Sequence, residues 1–296
     1  MPAPTDPPTV VLSRSFLYVP GDKPEMLAKA TQRGADSVII DLEDAVAHPN
    51  KKLARDTVGL WLGRQIAPAA AIWVRVNPQL DLLEEDLAAV IHPVVTGVYL
   101  PKVSSTAEVG FVANRLDALE AAAGMPAGTV QIAPLLETAA GILAAPQIAA
   151  SPRVSHMSIG ETDLAAELGM RPSPGGEEIN SIRTAVVLAS AAARINPPIG
   201  PVDTAFRDLD GLRTTSEGLR RMGYGGRAAI HPVQIPVINA AFSPTADEVA
   251  AARDVLDRFE TAQREGGAIT VADDGSLIDE AVVRNARRTL ASHSPL

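Results

Sequence analysis

The chain of 296 residues contains no cysteine. Disulfides, thiolate-held metals and a cysteine nucleophile are thereby excluded, and any metal must take oxygen or nitrogen ligands. Aromatic residues are nearly as scarce, at 3% of the chain, although 46% is hydrophobic. A core of Ala, Val, Leu and Ile suits helices laid on parallel strands better than a β-sandwich built on Tyr and Trp. No apolar run approaches the roughly 18 residues that span a bilayer. Long basic runs are missing too, and the formal charge of −9 argues against nucleic acid as the main partner. An anionic ligand stays open, because local charge decides that. Between Met1 and Val10 there are prolines but no Lys or Arg, so the basic start and apolar stretch of a secretory signal are absent. The expectation is a cytoplasmic protein whose residues 1–13 form a disordered tail.

What the chain does have is a rhythm. Short apolar runs at Phe16–Val19, Ser37–Ile40, Ala71–Val76, Gly97–Leu100, Val130–Leu135, His156–Ile159, Pro198–Val202 and Arg227–Ile230 are each followed by a segment of helical period. The first helix is expected over Pro24–Arg33 with Asp22 as its cap. Strand–helix alternation implies parallel strands joined by right-handed crossovers. Eight units within residues 14–242 predict an α/β fold, a (β/α)8 TIM barrel. After Phe242 the pattern changes, and residues 243–296 are expected to add a C-terminal helical tail or lid. There Ser243-Pro244-Thr245 opens a charged helix to about Arg264, Ala268–Val271 and the turn Asp273-Asp274-Gly275 follow, and a last helix covers Asp279–Ala291.

In such barrels chemistry sits at the carboxyl ends of the strands. Asp41, Glu43 and Asp44 follow strand two, Arg75 lies in strand three, and Lys102 closes strand four. Glu137 closes strand five, while Asp163, Asp203 and His231 follow strands six, seven and eight. Glu137 and Asp163 are 26 residues apart, one strand–helix–strand unit, so they end neighbouring strands. Two carboxylates that close repel unless a cation lies between them, and with oxygen donors alone Mg2+ is the natural choice. Mg2+ would leave positions open for a 2-oxo acid, onto which Arg75 could also fork. Plainer readings stand beside these. Asp163 fits a helix cap, Glu137 an ion pair, Lys102 and His231 rim caps, and Asp41, Glu43 and Asp44 a second layer or a salt-bridge cluster.

Several segments carry a resemblance: Arg14-Ser-Phe-Leu-Tyr-Val-Pro-Gly-Asp-Lys-Pro24, Gly34-Ala-Asp-Ser-Val-Ile-Ile-Asp-Leu-Glu-Asp-Ala-Val46, Val74-Arg-Val-Asn77, Leu100-Pro-Lys-Val103, Leu136-Glu-Thr138, Gly160-Glu-Thr-Asp-Leu164 and Ala229-Ile-His-Pro232. In these the chain resembles the citrate lyase beta-subunit group of the HpcH/HpaI aldolase superfamily, which includes citryl-, malyl- and citramalyl-CoA lyases. The resemblance implies Mg2+ on Glu137 and Asp163, Arg75 at the oxo-acid end, and CoA phosphates near Lys23 and Lys29. It also implies that Asp279, within Gly275-Ser-Leu-Ile-Asp279, is a catalytic acid/base lent to a neighbouring subunit; by itself that aspartate reads as an N-cap. The family often has Pro where this chain has Ala281.

The expected activity is therefore Mg2+-dependent cleavage or formation of a 3-hydroxyacyl-CoA, with an acyl-CoA and a small 2-oxo acid as the other side of the reaction. A malyl-CoA thioesterase on the same scaffold is the rival, as is a citrate lyase subunit served by an acyl-carrier protein. A homo-oligomer, a trimer or a multiple of it, is the family's expectation. Nucleic acid and membrane are not expected as partners.

Overall fold

In the computed structural model, residues 13–173, 176–265, 267, 269–272 and 275–293 are described. Of the expected tail at residues 1–13, all but Ser13 lie outside them, as do the turn residues Asp273 and Asp274. The chain divides into two compact units, of which one spans Ser13–Phe242.

That unit is a closed barrel of eight parallel strands: β1 (Ser15–Pro20), β2 (Ser37–Asp41), β3 (Ala71–Arg75), β4 (Val95–Leu100), β5 (Gln131–Leu136), β6 (Ser158–Ile159), β7 (Ile199–Gly200) and β8 (Gly226–Ala229). It closes where β1 pairs with β8, Phe16 opposite Ala228. Helices between the strands are α1 (Pro24–Leu27), α2 (Lys51–Leu62), α3 (Leu80–Val90), α4 (Thr106–Ala122), α5 (Ala139–Leu143), α6 (Ala145–Ala149), α7 (Glu161–Leu168), α8 (Asn180–Ala193) and α9 (Leu209–Met222), with α10 (Ile235–Phe242) after β8. The strands are buried on both faces, which is why they read as unbroken apolar runs.

Side chains alternate between two cores. Phe16, Ile39, Trp73, Tyr99, Ala133 and Ile199 fill the barrel, while Leu17, Val38, Ile40, Ile72, Val74 and Val98 face the helices. Gly97 is required inside: a Cβ there would lie 2.4 Å from the Trp73 ring. His156 completes the interior, packed against the rings of Phe16, Trp73 and Tyr99, and its Nε2 shares a 2.7 Å hydrogen bond with the Tyr99 hydroxyl. Burial pushes the imidazole pKa down to about 3, so this plug stays neutral.

Three expectations need correction. The first helix stops at Leu27 and gives way to a 3-10 turn at Ala30–Gln32. Its buried residues, Leu27 and Ala30, are three apart, which is the period of that tighter helix. The N-cap is Lys23, so Asp22 does not cap it. Strand seven shortens to two residues because Pro198 and Pro201 flank it and have no N–H for the ladder.

The other unit includes Ser243–Leu296. Its helix α11 (Ala246–Arg264) starts with a capping box, Thr245 Oγ1 accepting from Glu248 N at 3.1 Å and Glu248 Oε2 from Thr245 N at 2.7 Å. A two-stranded antiparallel ribbon follows, β9 (Thr270–Val271) with β10 (Leu277–Ile278). The last helix, α12 (Glu280–His293), packs on α11 through Phe259, Ile278 and Val283. Among the described residues no helix is long and apolar enough to cross a membrane.

Candidate active site

Strand parity decides what reaches the barrel mouth. Asp41 and Arg75 end β2 and β3 in register, pointing inward like Ile39 and Trp73 one step below. Glu137 follows Leu135 with the same parity on β5.

Arg75 forks onto Asp41, Nε to Oδ1 at 2.8 Å and Nη2 to Oδ2 at 2.5 Å. The same carboxylate accepts the backbone N–H groups of Glu43 (2.8 Å) and Ala45 (3.1 Å), so it shapes the loop after β2 as well. Glu43 lies between two cations, 2.9 Å from Arg75 Nη1 and 2.7 Å from Lys102 Nζ, with Asp44 at 3.7 and 3.8 Å from the same pair. Lys102 reaches Glu43 from a left-handed backbone, φ +57°, a conformation that costs a non-glycine residue about 1 kcal/mol or more. The Tyr18 ring lies under the guanidinium, 5.0 Å from it. Of the five N–H donors of Arg75, those on Nη1 and one on Nη2 lie outside the Asp41 fork. The fork that the sequence suggested for a substrate is thus held by Asp41, and a ligand would meet the other edge.

Behind this web stand residues that the strand-end reading passed over. Lys51 Nζ donates to the carbonyls of Leu42 (2.8 Å) and Glu43 (2.7 Å). Asn77 Nδ2 donates to Leu42 O and to Asp86, which also accepts from Arg55 Nε. Asp86 was visible in principle: it lies on the apolar stripe of α3 with Leu83, Leu87 and Val90, where a carboxylate needs a buried partner.

The β5–β6 side is different. Glu137 is 4% exposed, yet its Oε2 has no hydrogen-bond partner. Gly160, the N-cap of α7, makes room for it: a Cβ there would lie 2.4 Å from Glu137 Cγ. Asp163 follows in the first turn of α7, exposed, and close enough that its charge acts on Glu137. Asp163 caps nothing, since the N-cap is Gly160. Burial, then Glu43, then Asp163 push the Glu137 carboxyl up to about 8, against the pull of Arg75 and Lys102.

The donor set fits a hard divalent cation. Asp41, Glu43, Asp44 and Glu137 gather round Arg75 and Lys102, Asp163 acts on Glu137, and Glu137 carries a buried oxygen without a hydrogen-bond partner. Among the described residues no group of three or more His, Asp or Glu is arranged as a metal cage. Two carboxylates with water or substrate completing the shell is the manner in which Mg2+ is usually held.

Most of the remaining candidates have partners of their own. Lys23 is exposed at the first strand-to-helix turn, its Nζ 3.3 Å from Asp22, and Lys29 is exposed beyond the end of α1, just before the 3-10 turn. Asp203 pairs with Arg227 at 3.4 Å. His231 stacks on Phe206 with ring centroids 4.9 Å apart, and its Nδ1 accepts from Val233 N. Asp279, in the second unit, caps α12, its Oδ1 accepting from Ala281 N (2.9 Å) and Val282 N (3.0 Å).

The profile of the family described as HpcH/HpaI aldolase/citrate lyase matches residues 14–232. The chain belongs to this family. Among its HpcH/HpaI relatives, a (3S)-malyl-CoA thioesterase of Cereibacter sphaeroides is 37% identical over 286 residues, covering 94% of this chain and 93% of that one. An L-malyl-CoA/beta-methylmalyl-CoA lyase of Rhodobacter capsulatus is 32% identical, covering 95% of each. A crystal structure of the protein CitE from Mycobacterium tuberculosis, in complex with magnesium, acetoacetate and coenzyme A, superposes with a TM-score of 0.76 at 29% identity, covering 95% of this chain and 98% of that one.

Proposed function

We propose that the chain is a Mg2+-dependent carbon–carbon lyase that splits, or forms, a 3-hydroxyacyl-CoA of the malyl-, citramalyl- or citryl-CoA type, with an acyl-CoA and a 2-oxo acid as the other side of the reaction. The observation that carries this reading is the buried, unpartnered oxygen of Glu137, on which the charge of Asp163 acts, at a mouth that also holds Arg75.

Glu137 and Asp163 would hold the ion, which when bound polarises the oxo-acid carbonyl as a Lewis acid. Arg75, locked by Asp41 and flanked by Glu43, presents the N–H groups that neither of them takes to the oxygen where charge develops, and being locked beforehand it needs no reorganisation. Lys102 and Glu43 fix that edge of the guanidinium and give the mouth a partly exposed ammonium for the substrate carboxylate. In the cleavage direction the substrate hydroxyl loses its proton to solvent as the carbon–carbon bond breaks. The electron pair of that bond moves to the thioester enolate, which takes a proton from Asp279 of a neighbouring copy. In condensation Asp279 removes the proton from the acyl-CoA, the enolate adds to the oxo acid, and the alkoxide is protonated from solvent. Asp279 takes this role from family resemblance, as do Lys23 and Lys29 near the CoA phosphates, and the trimer has the same source.

A thioesterase reading has one specific observation in its favour, the 37% identity to a (3S)-malyl-CoA thioesterase. The test that separates them is a panel of malyl-, citramalyl- and citryl-CoA with Mg2+. An acyl-CoA plus a 2-oxo acid supports the lyase; free CoA plus the free hydroxy acid supports the thioesterase. An acyl-carrier-protein thioester used in preference to all three would point to a subunit of a citrate lyase complex. Glu137→Ala should lose turnover and Mg2+ dependence together, and a variant that is active and indifferent to metal would refute the site.

A further inference from the structure

Asp163 has no hydrogen bond or ion pair of its own among the described residues, and it sits on a helix of eight residues, too short to hold a direction by itself. The helix is held at other points. Glu161, two residues earlier in the same turn, is gripped by Arg183 of α8, Nε to Oε1 at 2.6 Å and Nη2 to Oε2 at 2.7 Å. The third nitrogen of that guanidinium, Nη1, donates to Asn180 Oδ1 at 3.1 Å. Tyr224 pins the backbone of Arg183 by donating to its carbonyl at 3.3 Å. Gly176 leaves the space: a Cβ there would stand 3.2 Å from Nη1 and 3.3 Å from Nη2. From the other side of α7, Glu167 Oε2 accepts the backbone N–H of Ala139 at 3.2 Å, which ties the helix to the turn two residues beyond Glu137.

We infer that Arg183 is a positioning residue for divalent-cation binding: through Glu161 it sets the first turn of α7, and so the approach of Asp163 towards Glu137. This rests on the assignment of Glu137 and Asp163 as the ligands. A bidentate pair between planar groups fixes angle as well as distance, so lysine is a poor substitute. Outer partners of metal ligands typically contribute ten- to a hundredfold in affinity, and an indirect clamp belongs at the lower end.

The test is calorimetric titration of Mg2+ into the full chain carrying Glu161→Gln, Arg183→Met or Arg183→Lys, with folding checked by circular dichroism. The expected result is a Kd for Mg2+ raised about tenfold in Glu161→Gln and Arg183→Met and less in Arg183→Lys. At saturating Mg2+, turnover and KM for the thioester should return to within about twofold of wild type, which a general loosening of the barrel would not allow. Glu161→Gln keeps the size of the side chain and remains readable if Arg183→Met fails to fold. Unchanged Mg2+ affinity in folded Glu161→Gln overturns the clamp and leaves the cation site standing. A wild-type chain that binds no Mg2+ overturns the site itself, and the clamp with it.

Discussion

The two sides of the barrel mouth carry similar groups and treat them in opposite ways. Across β2, β3 and β4 each charge is matched: Asp41 and Glu43 on Arg75, Glu43 again on Lys102, and the loop carbonyls on Lys51 and Asn77. Across β5 and β6 two acids act on one another, neither in an ion pair among the described residues, and one of them is buried with an idle oxygen. The matched side is a finished piece of structure that presents a guanidinium edge in one orientation. The unmatched side is held short of electrostatic balance, and a divalent ion would complete it.

The contrast can be broken at its largest effect. Arg75→Met leaves Asp41 and Glu43 buried without their main counter-ion, and removing one member of a buried pair costs about 3–5 kcal/mol. Glu137→Gln on the other side removes a charge that has no partner to lose, so without Mg2+ and above pH 8 it should leave stability unchanged or raise it. Urea unfolding of both variants in a metal-free buffer at pH 9 reads the difference directly. Equal destabilisation by the two would mean that the sides are not different in kind.

Much of this was legible beforehand, and the reasons are local. The eight parallel strands could be read because burial on both faces makes them continuous apolar runs, as in Val38-Ile39-Ile40 and Val98-Tyr99-Leu100. Boundaries failed where proline or a three-residue spacing overrode periodicity, at strand seven and after Leu27. The gathering of Asp41, Arg75, Lys102 and Glu137 at one mouth follows from register, since each ends or follows a strand of the same barrel. Partner choice did not follow. Nothing in the residue order says that Arg75 gives its fork to Asp41, that Lys102 takes a left-handed backbone, or that Arg183 reaches Glu161 from a helix 22 residues away. Those depend on side-chain reach across the barrel, which has no one-dimensional signature.

A smaller effect sharpens the comparison at Gly160. Alanine there would place its Cβ 2.4 Å from Glu137 Cγ and 2.9 Å from Oε1, so the carboxylate or the start of α7 must move. Overpacking of this kind costs about 1–3 kcal/mol. Gly160→Ala should therefore weaken Mg2+ binding while leaving the Arg75 web intact, and the temperature midpoint gained on adding Mg2+ reports it. A variant stabilised by Mg2+ as fully as wild type would show that Glu137 can bind the ion from another rotamer.

The smallest expected effect is the gentlest test of the imbalance, because it changes no atom. Burial and the neighbouring acids raise Glu137 to about 8 from an ordinary value of 4.5. With the folded value above the unfolded one, the metal-free protein keeps this contribution to stability in full below about pH 4.5, and loses it as pH climbs through about 8. A cation needs the ionised carboxylate, so binding below pH 8 must expel one proton, and Mg2+ affinity should rise about tenfold per pH unit between pH 6 and 7.5 and level off above. The two trends have opposite sign: metal-free stability falls over the pH range in which Mg2+ affinity climbs. Calorimetric titrations in two buffers of different ionisation enthalpy would count the proton. A flat affinity across this range would mean that the ion does not bind through the Glu137 carboxylate, and would remove Glu137 from the cation site.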